Sequence, residues 1–250
     1  MTADAALRCQ ALTVRYGRFT ALDGFSYAFA PGRLYGIIGP NGAGKTTLMN
    51  VLVGGVRPSA GSVHIRETDV TGLRVPARAR MGLGRSFQIT RTFAGMTVFE
   101  NLRLAAQASV FRRQPLWRSA RTFPKTAERA RAMLATVGLE READQPAEQL
   151  SHGDGRALEL GLALMADPAV LLLDEPLAGV GHGALDRTTD LLARVSVGRT
   201  VLLIEHNMSA VMRLAETVLV MMDGKLIAQG DPAAMRRDPR VREAYLGSDA

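Results

Sequence analysis

The chain has a single cysteine, Cys9, and no apolar run long enough to cross a bilayer. One cysteine excludes a disulfide within the chain and is typical of a reducing compartment. A bilayer span needs roughly 18 apolar residues, whereas the richest runs, Val170–Leu173 and Val201–Ile204, have the length of a strand. Residues Met1–Gln10 also lack the apolar stretch of an export signal. The sequence therefore predicts a cytoplasmic protein.

Lysine is scarce as well: it stands only at Lys45, Lys125 and Lys225, so the net charge of +7 comes almost wholly from arginine. A basic balance fits nucleic acid, an anionic membrane surface or a polyanionic ligand, but also a solvated surface that happens to be rich in arginine. Apolar residues make up 47% and charged residues 22% of the chain, which excludes disorder as the main state. A chain of 250 residues is long enough for one sizeable domain, or for one core with an inserted subdomain.

Apolar runs of strand length alternate with helical patterns along much of the chain. Strands are predicted at Leu34–Ile38, Val170–Leu173, Thr200–Ile204 and Val218–Met222, and helices between them, the first at Thr46–Val53. Such alternation predicts an α/β fold with a parallel sheet that is covered on both faces.

Two parts of the chain depart from this alternation. The first 35 residues contain short β-type runs, Leu12–Tyr16 and Phe25–Phe29, broken at Gly17, Gly24 and Pro31-Gly32. From Thr97 to Ala166 the apolar positions follow a helical period. We expect a helical subdomain, residues 89–166, inserted into a core made of residues 1–88 and 167–250, the whole forming one domain.

A glycine-rich loop, Gly39-Pro-Asn-Gly-Ala-Gly-Lys-Thr46, follows the Leu34–Ile38 strand and opens the next helix. It matches G-x4-G-K-[ST], and this strand–loop–helix context is the one that the motif requires. Backbone N–H groups of such a loop point at phosphate. Lys45 is expected to reach the β- and γ-phosphates of ATP, and the Thr46 hydroxyl to bind Mg²⁺. The residues expected to hold the nucleotide here are Gly39, Asn41, Gly42, Gly44, Lys45, Thr46 and Thr47.

Two adjacent carboxylates, Asp174 and Glu175, end the Val170–Leu173 strand just before Pro176. Ligands of α/β sheets bind at the carboxyl ends of the strands. We expect Asp174 to hold Mg²⁺ through water and Glu175 to polarise the attacking water as general base. The alternative is a pair of carboxylates that merely begins a turn.

Between these two elements stands the segment Leu150-Ser-His-Gly-Asp154, which we call the signature segment, followed by a helical stretch. Here the sequence resembles the ATPases of ABC transporters, whose signature is L-S-G-G-Q, and the resemblance covers essentially the whole chain. It implies a P-loop (RecA-like) ABC ATPase core with an N-terminal antiparallel β region and an inserted helical subdomain.

The resemblance also implies roles for residues outside the glycine-rich loop and the carboxylate pair. Tyr16 matches the aromatic residue that stacks on adenine. Gln88 matches the glutamine that senses Mg²⁺ and the attacking water while touching the membrane subunits. Ser151 and Gly153 match signature positions that contact the γ-phosphate bound by the opposite subunit, and His206 matches the histidine that hydrogen-bonds the γ-phosphate. The expected catalytic residues are Glu175, His206 and Gln88, and the expected metal-binding residues are Thr46, Gln88 and Asp174.

Three features depart from the family pattern. His152 replaces the first signature glycine, and Asp154 replaces the glutamine. A carboxylate is favourable at a helix N-terminus but opposes an incoming triphosphate, which leaves weak or asymmetric hydrolysis open. The loop Leu177–Gly181 lacks the Asp or Asn that the family usually has there, which puts signalling across a dimer through this loop in doubt.

Several segments resemble one branch of the family, the larger ATPase of branched-chain amino acid importers. They are Arg85–Leu102, the arginine-rich residues 112–129 and the ending Asp238–Gly247. Ser151–Gly153 and Leu158–Leu160 also resemble urea and amide importers. The resemblance thus implies a subunit that binds and hydrolyses ATP to energise an importer of amino acids or a small amide, with ATP and Mg²⁺ as cofactors.

The same resemblance implies partners and a place in the cell. They are two permease subunits, a second ATPase (a paralogue or another copy) in a head-to-tail dimer, and indirectly a solute-binding protein. The chain would lie peripherally on the cytoplasmic face of the inner membrane, and no nucleic acid is expected. The alternatives are the ATPase of an exporter, such as that for lipopolysaccharide, a non-transport ABC protein acting on ribosomes or DNA, and a scaffold that binds ATP without turnover.

Overall fold

The computed structural model describes residues 5–86, 92–110, 124–239 and 241. Three predictions concern residues outside this set: the role of Gln88, residues 112–123 of the arginine-rich segment, and most of the Asp238–Gly247 ending. Within the described part of the chain, no helix has both the length and the apolar character that crossing a bilayer requires.

The strands of the described residues form two sheets. They are β1 (Leu7–Tyr16), β2 (Phe19–Phe29), β3 (Leu34–Ile38), β4 (Ala60–Ile65), β5 (Thr68–Asp69), β6 (Leu83–Arg85), β7 (Val170–Asp174), β8 (Thr200–Ile204), β9 (Thr217–Met222) and β10 (Lys225–Gly230). The helices are α1 (Lys45–Val53), α2 (Val75–Arg80), α3 (Val98–Val110), α4 (Pro124–Val137), α5 (His152–Leu164), α6 (His182–Ser196), α7 (Met208–Leu214) and α8 (Pro232–Arg237).

The larger sheet has the strand order β10-β9-β3-β8-β7-β6, and all its strands are parallel to their neighbours except β10. Every residue of β3, β7 and β8 is buried, as expected in the middle of a parallel sheet covered on both faces. The predicted α/β class is confirmed. The carboxyl ends of these three neighbouring strands lead to the glycine-rich loop, to Asp174-Glu175 and to His206, so the sheet gathers them at one edge.

The smaller sheet confirms the predicted N-terminal antiparallel region. Its order is β2-β1-β4-β5, and a two-residue turn, Gly17–Arg18, joins β1 to β2. Phe25 and Phe29 of β2 belong to the same buried core as Leu48 and Met49 of α1. Burying side chains of this size stabilises each by roughly 1.5–3 kcal/mol, so this core fixes the helix that carries the glycine-rich loop.

The chain divides into two compact units. One contains the described residues of Met1–Arg85, Ala169–Glu175 and Ser196–Ala250, and the other those of Ser86–Pro168 and Pro176–Val195. The second unit includes α3, α4 and α5, which confirms the helical character expected between the two halves of the core. It also takes in Pro176–Val195, because α6 lies against the start of α5, with Ala184 close to Gly153. The boundaries 89 and 166 stay a prediction.

Candidate functional site

The glycine-rich loop, residues 39–46, closes around its own lysine. Gly44 precedes α1 with a φ of 93°, and a Cβ there would collide with the Ala21 carbonyl oxygen, so only glycine fits this left-handed turn. Lys45 is 6% exposed, and its Nζ donates to the carbonyl oxygens of Gly39 at 2.7 Å and Pro40 at 2.9 Å. Burial lowers the pKa of Lys45, while Glu175 and Asp174 oppose that shift. The Lys45 ammonium is therefore buried inside the loop, and its two hydrogen-bond acceptors are neutral carbonyl groups.

Asp174, the last residue of β7, is a buried carboxylate with only one of its two oxygens hydrogen-bonded. Its Oδ2 accepts a hydrogen bond from Nη2 of Arg85 at 3.0 Å, whereas its Oδ1 is buried with no hydrogen-bond partner. Burial raises the pKa of Asp174, and the Arg85 guanidinium opposes the rise. Arg85 also donates from Nη1 to Oδ1 of Asn50 on α1 at 2.6 Å. It thus links the carboxylate to the helix that follows the glycine-rich loop, a contact that the sequence analysis missed.

Glu175 adopts a backbone conformation that is unusual for a residue with a side chain. Its φ is 51°, a region that non-glycine residues rarely occupy and that concentrates at functional sites. Its N–H donates to the carbonyl of Ile204 at 2.9 Å. Its Oε1 lies 2.9 Å from Nε2 of His206, and both side chains keep access to solvent. A carboxylate beside an imidazole, open to water, can accept a proton from a water molecule.

Lys45, Glu175 and His206 line one cavity of about 280 Å³, whereas Gly39 and Asp174 are not among its lining residues. Tyr16, expected to stack on adenine, is 53% exposed at the turn between β1 and β2 and does not line it; Phe19, at the start of β2, does. The described residues that line the cavity are Phe19, Ala21, Asn41, Gly42, Ala43, Gly44, Lys45, Thr46, Thr47, Glu175 and His206. Most residues expected to bind the triphosphate therefore share one concave surface of the first unit.

The signature segment lies in the second unit, where Ser151 caps α5. Its Oγ accepts from the N–H of Asp154 at 3.2 Å and donates to Oδ2 of Asp154 at 2.6 Å. Asp154, which replaces the family glutamine, therefore takes part in the N-terminal cap of α5 through both its N–H and its carboxylate. The ring of His152 packs against Gly179, where an added Cβ would approach Nε2 to 2.5 Å. Ser151 and Gly153 thus sit at a helix start, as the resemblance implies, and their contact with a nucleotide stays a prediction.

The side chains of this site can be compared with the ligands that Mg²⁺ requires. Among the described residues, no group of three or more His, Cys, Asp or Glu side chains could hold a metal ion. Mg²⁺ usually takes one or two carboxylates together with substrate phosphates and water, so it needs no such cluster. The unpartnered Oδ1 of Asp174 is an oxygen that metal-bound water could satisfy. The residues present fit Mg²⁺ bound together with a nucleotide.

Comparison with known families gives two matches. The family described as "ABC transporter" matches residues 22–178, and the family described as "Branched-chain amino acid ATP-binding cassette transporter" matches residues 225–250. The first match covers the glycine-rich loop, the signature segment and Asp174-Glu175, which are the elements on which the resemblance was based.

Individual relatives agree with the family matches. The high-affinity branched-chain amino acid transport ATP-binding protein LivG of Escherichia coli (strain K12) is 35% identical, over 96% of this chain and 97% of its own. BraF of Pseudomonas aeruginosa, of the same description, is 36% identical over the same shares. The lipopolysaccharide export system ATP-binding protein LptB of Acidithiobacillus ferridurans is 34% identical over 96% of both chains. The resemblance to ATPases of branched-chain amino acid importers is confirmed.

Solved structures place the fold in the same family. A nucleotide-free ATP-binding cassette from an ABC transporter is 31% identical, with a TM-score of 0.84 over 96% of this chain and 98% of its own. An ATP-binding cassette in its ADP conformation is also 31% identical, with a TM-score of 0.85 over 97% and 98%. These structures confirm the predicted ABC ATPase core. The chain therefore belongs to the ABC transporter family, as a subunit that binds ATP and couples its hydrolysis to transport.

Proposed function

We propose that this subunit energises the import of branched-chain amino acids. The observation that carries the proposal is the 35–36% identity with LivG and BraF over 96% of the chain, joined by the match of residues 225–250 to a branched-chain amino acid transporter family. The lipopolysaccharide export protein LptB is similar at 34%, so export of a lipid is the second candidate.

In the proposed reaction the first unit holds the triphosphate. Lys45 exchanges its two carbonyl acceptors, 2.7 and 2.9 Å away, for the β- and γ-phosphates. Thr46 and Asp174 would hold Mg²⁺, which supplies charge neutralisation on the phosphates when bound. Gln88, predicted to sense the metal and the water, completes this set.

Glu175 and His206 are the proposed acid–base pair of the site. The imidazole orients the Glu175 carboxylate through the 2.9 Å contact, and Glu175 accepts a proton from the attacking water. His206 would then hydrogen-bond the γ-phosphate. Because the carboxylate keeps access to solvent, water can reach it.

The proposed assembly is a head-to-tail pair of ATPases beneath two permeases, supplied by a solute-binding protein, on the cytoplasmic face of the inner membrane. The match of residues 22–178 to the ABC transporter family, which spans both the glycine-rich loop and the signature segment, supports it. Ser151 and Gly153 then complete the site of the second ATPase, and its signature completes this one.

A test of the solute is to purify this subunit with its membrane partners, reconstitute the complex in liposomes and measure ATP hydrolysis. Leucine, isoleucine or valine, given with the co-purified binding protein, should raise the hydrolysis rate at least a few-fold, and lysine or urea should not. Stimulation by lipopolysaccharide without any binding protein would instead identify an exporter. The Glu175→Gln complex is the matched control, because it keeps the assembly and lacks the proposed base.

A further inference from the structure

The cavity around the glycine-rich loop has an aromatic wall that the family pattern did not supply. Phe19, the first residue of β2, lines it together with Ala21 and the loop's lysine and threonines. Phe19 is 61% exposed. A phenylalanine ring has no polar atom to hydrate, so exposing this one costs free energy that a ligand would recover by covering it.

The hairpin register sets Phe19 beside Tyr16. The two residues are direct cross-strand partners, and the turn between them has only two residues, Gly17 and Arg18. Directly opposite residues of an antiparallel pair project from the same face, with Cβ atoms roughly 5 Å apart. Both rings therefore stand on one face of the hairpin tip, and each is more than half exposed.

The lining of the cavity therefore combines two chemically different kinds of surface. Lys45, Thr46 and Thr47 provide charge and hydroxyl groups, whereas Phe19 and Ala21 provide apolar surface. A nucleotide has the same division, with charged phosphates at one end and a flat heterocyclic base on a sugar at the other. Aromatic side chains bind bases by stacking, largely without regard to base identity.

We propose that Phe19 is a second aromatic contact for the base–sugar end of the nucleotide, acting beside Tyr16. The inference rests on the proposed role of the glycine-rich loop in holding phosphates. Removing one stacked ring weakens binding of a base about 5- to 150-fold. Phe19 should therefore contribute to affinity for nucleosides carrying phosphate and contribute nothing to affinity for phosphate chains alone.

The test compares ADP with inorganic tripolyphosphate, neither of which requires turnover, by calorimetric titration of the purified chain. Phe19→Ala should weaken ADP binding about 5- to 150-fold and leave tripolyphosphate binding unchanged. Phe19→Tyr should restore ADP binding. Phe93→Ala is the matched control, because Phe93 is a similarly exposed ring, 57%, in the second unit.

A spectroscopic variant reports the contact directly. In Phe19→Trp, tryptophan emission should change on adding ADP and stay constant with tripolyphosphate; the wild-type chain, whose single tryptophan is Trp117, gives the background. ADP affinity of Phe19→Ala within twofold of wild type would overturn the inference. An equal loss for both ligands would overturn it too, since Phe19 would then shape the loop. A wild-type chain that binds neither ligand would instead refute the proposed function.

Discussion

Arg78 is fully buried, and its charge is held by carbonyl groups. It donates from Nη1 to Val51 and Leu52 at 2.7 Å each, from Nε to Leu73 at 3.0 Å and from Nη2 to Thr71 at 3.1 Å. Burial lowers the pKa of Arg78 from its usual value. Two of these acceptors belong to the last turn of α1, where the negative end of the helix dipole favours a cation. Arg78 thus closes the far end of the helix that begins at the glycine-rich loop.

Arg78→Ala should lower the free energy of unfolding by about 2–4 kcal/mol, because buried carbonyls lose their donors and a cavity remains. Urea denaturation measures this change. Arg80→Ala is the control: Arg80 lies two residues away on the same helix and is exposed, so its loss should cost less than about 0.5 kcal/mol. Equal costs for the two variants would show that the carbonyl contacts of Arg78 add nothing.

Some residues of the candidate site could be predicted from the sequence, and others could not. Lys45 stands in the glycine-rich loop, and Asp174 and Glu175 follow a predicted strand directly. Because ligands of α/β sheets bind at the carboxyl ends of the strands, the sequence could predict that the carboxylates lie near the loop. Arg85 reaches Asp174 only because β6 pairs with β7. Phe19 reaches the cavity only through the register of the β1–β2 hairpin. Both contacts depend on tertiary neighbours that no local pattern records.

Elements formed by continuous apolar runs were predicted most closely. Thr200–Ile204 agrees at both ends, and Val170–Leu173 was one residue short. The N-terminal strands were predicted too short, because β1 has a positive φ at Ala11 and a register shift between Cys9 and Leu12. Such an irregularity disrupts the alternation of apolar residues from which strands are recognised. The break predicted at Gly24 is wrong, because Gly24 lies inside β2.

The helices α3, α4 and α5 pack tightly around a glycine. Gly161 on α5 has little room for a side chain: a Cβ there would lie 3.2 Å from the side chain of Leu102 of α3 and 3.3 Å from those of Met133 and Val137 of α4. Gly155, on the same helix, has nothing within 4 Å of an added Cβ. The absence of a side chain at Gly161 therefore allows the close approach of the three helices.

Opposite effects are expected at these two glycines. Gly161→Val should destabilise the chain by roughly 1–3 kcal/mol, through overpacking. Gly155→Ala should stabilise it by up to about 1 kcal/mol, because alanine favours the helix and meets no neighbour. Thermal unfolding of the two variants and of the wild-type chain measures both changes in stability. A stabilising Gly161→Val would contradict the packing of the three helices.

For the molecule as a whole, the fold and the family show a subunit that hydrolyses ATP. Our central proposal is that Glu175 is the general base of this hydrolysis. The measurement that tests it most directly is steady-state ATP hydrolysis by the purified transporter complex carrying Glu175→Gln. Hydrolysis should fall at least about 100-fold, since the amide cannot accept a proton from water, while ATP binding persists. Glu140→Gln, which alters an exposed carboxylate of the second unit, should hydrolyse ATP at the wild-type rate. A wild-type rate in Glu175→Gln would contradict the account.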